Sequence, residues 1–407
     1  SLQKLLLLPQ WTARIIVLAV AAGICALVLA LFSDAIKSIE ERVGALGWTL
    51  FPDTAIEERI TLVVIDEASI AEIGAWPWSR SVMARLVAAI DGAGAQLQLH
   101  DITYPESKAG DDELLKALED SNGAVIAQIP VLSEQFEDSS TGVMTHSVAG
   151  LSCGSQVAEL NLALATGYIA ATSNLRTVPK GHNAALIDAD GAVRRSPAAV
   201  CVDGEAYPAL SIAAFLQMGS YSDWRAEVVS DSSLLGPHAT LSLAGYPGLQ
   251  IPLDDSGTIR IPFSKAPEAF RAVSAADVLS NRVDVSLFEN AWVILGGTAF
   301  GMADIVPTPY SGAAFGVELQ ARLLAGILDV SLPYSPKGAS FLLSLISMLF
   351  GAFLYLLAVR TDRVAAFGLP IAAIGLPILA ASIHVGTLYH SNIWLGWITP
   401  ALFGLLG

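Results

Sequence analysis

Four apolar stretches punctuate the chain, one near its start and three crowded at its end. Residues 15–32 contain no charged side chain, and 18 residues of helix span roughly 27 Å, close to the ~30 Å hydrocarbon core of a bilayer. Residues 339–359 are equally free of charge. Residues 365–388 have His384 as their one titratable side chain and contain Pro370 and Pro377, which membrane helices tolerate as kinks. The last stretch, 393–406, is short for a span. The pattern predicts one N-terminal and three C-terminal α-helical transmembrane segments, the last of them cut short.

Between these stretches the periodicity is that of a folded domain. Ile36, Ile39, Val43, Leu46 and Leu50 recur at three- and four-residue steps. They predict an amphipathic helix that extends the first span outward. The β-branched run 60–65 predicts a strand buried on both faces. A helix over 79–90, a strand over 96–100, a helix over 111–120 and a strand over 124–129 follow. That order implies a largely parallel central sheet with right-handed crossovers. Turns at Asp190-Gly191 and 254–257 predict β-hairpin additions. Helices over 208–218, 275–279 and 317–328, with a strand over 291–295, complete an α/β domain. The divisions are 1–32 (cytoplasmic stub and first helix), 33–336 (external domain) and 337–407 (three helices).

Charge sets the orientation. Lys4 and Arg14 precede the first helix, and Arg360 and Arg363 lie between the second and third. Lys and Arg flanks mark the cytoplasmic side, so both signals place residues 33–336 outside. Ser33-Asp34-Ala35 would suit a cleaved signal peptide; an uncleaved anchor is the favoured reading. The net charge is −16, and the central region carries more than the whole of it. Such a surface repels nucleic acid and anionic headgroups. Cys25 sits within the first helix. Cys153 and Cys201 lie in the external region, where disulfides persist, and are a candidate pair, although spacing alone does not bring them together.

Searches for chemistry mostly return negatives. The six histidines form no metal-ligand spacing with one another or with cysteine. Asp188-Ala-Asp190-Gly191 lacks carboxylates at the first and twelfth positions of a calcium loop and reads as a turn. There is no Walker A lysine and no Gly-x-Ser-x-Gly elbow. The Gly296-Gly297 turn is followed by prolines rather than by an anion-binding helix start. What remains is a carboxylate set. Asp66 and Asp101 are expected to end neighbouring parallel strands, with Asp304 near a third, at the edge where open α/β sheets hold ligands. Together they would suit a divalent cation or an amine-bearing ligand. Glu67, Trp76, Trp78 and Arg80 lie alongside as further candidates. The structural alternative is that Arg80 neutralises one carboxylate and the tryptophans pack beneath the sheet edge.

These stretches resemble the CHASE2 family of extracytoplasmic sensor domains. The resemblance runs through Ile65-Asp66-Glu67, Gly74-x-Trp76-Pro77-Trp78-Ser79-Arg80 and Gly92-Ala-Gly94-Ala95. It continues through Asp101, Asp188-x-Asp190-Gly191-x-Val193-Arg194-Arg195 and Tyr207-Pro208. It closes with Val293-Ile294-Leu295-Gly296-x-Thr298-Ala299, Asp304, Thr308-Pro309 and Gly316-Val317-Glu318. His100 before Asp101 departs from the aromatic or apolar residue expected there. The resemblance implies a bacterial inner-membrane receptor whose periplasmic domain meets an unknown ligand or protein. It implies a cytoplasmic effector, a class III adenylate or guanylate cyclase first and a histidine kinase second, and a homodimer or higher oligomer. None of those catalytic motifs is present in these residues, so the chain reads as the sensor-and-membrane part of a longer protein. Two readings from other classes stand beside it: a membrane-anchored periplasmic metal-dependent enzyme, and a structural assembly protein.

Overall fold

The computed structural model describes residues 10–132, 140–154, 160–219, 223–302, 305–360 and 362–406. From the N-terminus come helices α1 (Gln10–Leu31), α2 (Ser33–Gly44) and α3 (Leu46–Leu50), then strand β1 (Glu57–Ile65). Next are α4 (Glu67–Ile73), α5 (Arg80–Gly92), β2 (Leu97–His100), α6 (Asp111–Asp120), β3 (Ala124–Val131) and β4 (Lys180–His182). Then follow α7 (Leu210–Met218), β5 (Phe270–Ser274), α8 (Ala275–Leu279), β6 (Trp292–Gly297) and α9 (Gly316–Leu328). The chain closes with α10 (Ala339–Ala358), α11 (Asp362–Ser391) and α12 (Ile398–Leu406). It divides into two compact units: residues 51–231 with 238–333, and the described part of 1–50 with 232–237 and 334–407.

In the first unit, β5, β1, β6, β2 and β3 lie side by side in that order, with β4 beside β3 and all pairings parallel. Parallel neighbours need long crossovers, and the helices supply them. Side chains alternate between two buried clusters. Ile60, Leu62, Leu97, Leu99 and Ile294 pack with α7 and α9, whereas Val63, Ile65, Val293 and Leu295 pack with α5, α6 and α8. A strand covered on both faces has no wet side, which is why residues 60–65 form one apolar run. Antiparallel strands Ala226–Ser230, Ala239–Leu243 and Tyr246–Leu253 form a separate small sheet.

The turn before Val193–Pro197 explains the Asp188–Arg195 motif. Gly191 adopts φ of 81°, and its N–H donates to the Asp188 carbonyl at 2.8 Å. The Arg194 guanidinium forks onto Asp190 at 2.8 and 2.9 Å and reaches Asp188 at 2.8 Å. The two carboxylates hold an arginine. Farther into the core, β2, β3 and β4 carry a seam of buried polar side chains: Gln98, His100, Gln128, Lys180 and His182. Lys180 Nζ donates to Thr145 Oγ1 at 2.6 Å and to the carbonyls of Leu175 and Val178 at 2.9 and 3.1 Å. Burial draws its pKa down to about 8. Cys153 and Cys201 are joined by a disulfide, which ties the loop before residue 155 to the strand Ala199–Val202.

In the second unit, two helices among the described residues are long and apolar enough to cross a membrane, Ala339–Ala358 and Ala365–Ser391. Helix α11 continues through both Pro370 and Pro377. One expectation is corrected here. The segment Ser33–Leu50 does not prolong α1 in line; it is turned 91° from Ile15–Leu31. Helix α2 carries Asp34, Lys37, Glu40, Glu41 and Arg42 beside Ile36, Ile39 and Val43, a mixture suited to lying along an apolar–aqueous boundary rather than standing clear of it. Of the final apolar stretch, the nine residues of α12 are helical, roughly 14 Å and about half a hydrocarbon core.

Candidate ligand-binding site at the sheet edge

The expected carboxylate set separates into different structural roles. Asp66 follows β1 and caps α4: its Oδ1 accepts from Ser69 N at 2.9 Å, Ser69 Oγ at 2.7 Å and Ser274 Oγ at 2.8 Å. Burial raises its pKa, but these hydrogen bonds outweigh it and hold the carboxyl below its usual range. Glu67 Oε1 accepts from the Phe300 backbone N–H at 2.7 Å and so pins the loop after β6. Asp66 and Asp101 do not end neighbouring strands as expected, because β6 lies between β1 and β2. Two strand spacings separate the strand ends by roughly 10 Å, far beyond a cation's ~2.3–2.6 Å reach to each ligand. Asp304 lies outside the described residues. Among the described residues no group of three or more His, Cys, Asp or Glu side chains could hold a metal ion.

Arg80 pairs with neither strand-ending aspartate. Its Nε donates to Asp111 Oδ1 at 2.8 Å and its Nη2 to the Glu106 carbonyl at 2.8 Å, with the guanidinium 4.8 Å above the Tyr104 ring. Asp111 Oδ2 also accepts from Asn174 Nδ2 at 2.9 Å and Lys108 N at 3.1 Å. Both members of the pair are buried, so this is an internal clamp between α5 and the start of α6. Trp76 and Trp78 meet edge to face at 5.6 Å across a cis Trp76–Pro77 bond, and Trp78 Nε1 donates to the Gly74 carbonyl at 2.8 Å. They pack with the α5–α6 core and do not line the cavity described next.

Asp101 lines a cavity. The space measures about 670 Å³ and lies outside the C-terminal ends of β2 and β3, against α9. Such a volume falls within the ~300–1,000 Å³ of small-molecule sites, and this edge is where open α/β sheets bind ligands. Asp101 Oδ1 accepts from Asn183 Nδ2 at 2.8 Å. The close approach of α9 to β6 uses the lack of a side chain at Gly296, where a Cβ would stand 3.1 Å from Val317 Cβ, whereas one on Gly316 would meet Asp101 Oδ2 at an ordinary contact distance of 3.5 Å. Ser196 lines the same space with its Oγ bonded to the Ala184 carbonyl at 2.9 Å. Gln320, 8 % exposed, lines it with a buried Oε1 that has no hydrogen-bond partner. An unmet buried acceptor costs about 1–3 kcal/mol, so this atom stands out.

Asn183 and Gln320 carry no signal in the sequence. Asn183 follows β4, a strand that sequence reading does not locate, and Gln320 sits in the amphipathic pattern of α9 as an ordinary polar residue. Gly316 belongs to the Gly316-Val317-Glu318 motif, and its closeness to Asp101 is visible only in three dimensions.

The first unit is thus a helix-covered, largely parallel sheet with a mainly apolar cavity at the C-terminal ends of β2 and β3, and among the described residues two helices are long and apolar enough to cross a membrane. The CHASE2 domain family matches residues 20–357, and the chain belongs to that family of sensor domains found in signalling receptors. No curated protein and no solved structure matches the chain.

Proposed function

We propose that this chain is the sensing and membrane portion of a bacterial inner-membrane receptor that governs a cytoplasmic class III adenylate or guanylate cyclase. A histidine kinase is the second choice of effector. The observation that carries the reading is a joint within the membrane-side unit. Glu40 Oε1, on α2, accepts from the backbone N–H groups of Trp397 and Ile398 at 2.6 and 3.2 Å and so caps the start of α12. His384, on α11, has one ring nitrogen against the Leu395 carbonyl and the other 3.3 Å from the Gly44 carbonyl. A neutral imidazole donates through one nitrogen only, whereas an imidazolium donates through both. Trp394 lies 4.7 Å from His384 and 5.6 Å from Trp48. Tyr334 N–H donates to Asn392 O at 2.9 Å, and Trp394 N–H to Tyr334 O at 2.8 Å.

The joint therefore ties the chain entering the external domain to the chain leaving it and to the last helix. A stimulus acts only through a difference in affinity between two states, and this cluster has discrete alternatives to offer. The sequence of the encoding gene on both sides of these residues tests whether a cyclase or a kinase domain is joined to them. Transmission is tested by joining a class III cyclase catalytic domain behind residue 407 and measuring cyclic-nucleotide output. Glu40→Ala and His384→Leu are each expected to change basal output at least threefold. Output unmoved by both substitutions would count against transmission through this joint.

A further inference from the structure

We propose that the outer stripe of the arm formed by α2 and α3 is seated in the lipid leaflet around the crossing helices, with acyl chains as its partner. The inference goes beyond the receptor reading and holds whatever the effector is. Ile39, Val43, Leu46 and Leu50 recur at steps of four, three and four, and they are between 39 and 67 % exposed. At 3.6 residues per turn they fall within a sector of about 60°. Asp34, Lys37 and Glu41 fall across the arm from them, which supplies the polar face of an interfacial helix.

The inner face of the arm is already in use, and its contacts fix the depth. Gly44 and Gly47 let the arm press against α11. A Cβ on Gly44 would stand 2.9 Å from His384 Nε2, and one on Gly47 3.3 Å from Val385 Cγ1. Trp48 is buried beside Trp394. His384 and Val385 lie within the last two turns of α11, which ends at Ser391, so the arm meets that helix roughly 10 Å inside its end. The arm also runs across the direction of α1, at 91° to it. A helix in the plane of a leaflet, with its apolar side about 5–10 Å into the headgroup and acyl boundary, has this placement. Val20, Leu27 and Leu31 of α1 are exposed as well, so the stripe continues the apolar surface of a span. A second copy of the chain is the other surface that would cover four such side chains. Depth favours lipid, which surrounds any crossing helix at that level. Glu40 and Gly44 belong to the same arm, so the leaflet bears on the element that holds α12 and His384.

The test places the full chain in nanodiscs of phosphatidylcholine and phosphatidylglycerol, with Cys25→Ala to remove the free thiol. A bimane label on Leu46→Cys reads the stripe, and one on Lys37→Cys reads the opposite side. Lipids carrying 5-doxyl and 14-doxyl chains quench from shallow and deep positions, and iodide quenches from water. At residue 46 the 5-doxyl lipid is expected to quench at least twofold more than the 14-doxyl lipid. Iodide is expected to quench there at least threefold less than at residue 37. Should Leu46→Cys fail to fold, Val43→Cys gives the second reading on the same stripe. Iodide quenching on the stripe equal to that at residue 37 overturns the proposal, as does stronger quenching by the deep lipid. A label shielded from lipid and iodide alike in nanodiscs holding two chains, yet quenched by lipid in those holding one, also overturns it and assigns the stripe to a second copy. Neither quencher reports on signalling, so a silent cyclase fusion would sink transmission and leave the seating of the arm intact.

Discussion

The two halves of the sheet edge start from the same motif and end in opposite chemistry. On the β1 side, Asp66 Oδ1 is taken up by Ser69 and Ser274, Glu67 holds the Phe300 amide, and Arg80 and Asp111 clamp each other in the core. On the β2–β3 side, Asp101 borders open space and Gln320 Oε1 has no partner. A strand-ending aspartate is thus ambiguous until its neighbours are known. Where serines and a helix start converge, it becomes a cap; where aliphatic residues form the wall, it faces a cavity.

The largest expected effect breaks the closed half. Asp111→Ala leaves Arg80 buried without its carboxylate, and removal of one partner from such a pair costs about 3–5 kcal/mol. Urea unfolding followed by tryptophan fluorescence measures it, and a cost below about 1 kcal/mol would show the clamp to be dispensable.

Acidification should sharpen the contrast from the other side. Burial lowers His100 and His182, in the seam of β2 and β4, to about 4 and about 3. Between the unfolded value near 6.5 and those values the unfolded chain takes up protons that the folded chain refuses. Stability therefore falls as pH falls, by roughly 1.4 kcal/mol per pH unit for each histidine. The hydrogen-bonded carboxyls of Asp66 and Asp111 are shifted in the same downward direction but from 3.8, so their contribution is lost only below about pH 4. Hydrogen exchange at pH 7.0 and 5.5 should show protection lost first in β2–β4. Equal loss across β1 would erase the distinction.

Smaller effects separate the two aspartates. Asp66→Ala should cost about 1–2 kcal/mol as a lost helix cap. Asp101→Asn should cost less than about 1 kcal/mol, because the amide keeps an oxygen for Asn183. Chemical denaturation of the two variants side by side reads the difference, and a reversal of their order would exchange the roles assigned here.

The sheet itself was legible in sequence because burial on both faces leaves an unmistakable apolar run at 60–65, and because strand and helix alternate through residue 129. The order of strands was not. β6 comes late in the chain and inserts between β1 and β2, and nothing local in residues 60–101 announces that separation. The partner of Arg80 was hidden for a similar reason, since Asp111 reads simply as the acidic first turn of a helix. The cavity leaves no mark in the sequence because its distinguishing atoms, Asn183 Nδ2 and Gln320 Oε1, belong to residue types common on any surface.

The right angle after Leu31 changes what α1 can do. A straight rod passes a push along its own axis, as a piston does. In the transmission proposed above, a bent arm would work as a crank: a tug on α3 would act across α1 and swing α2 about the elbow at Phe32. Glu40 lies on that arm and holds the first amides of α12. What reached the last helix would then be a rotation set by the length of α2, and a stiffer or longer α2 would alter its size.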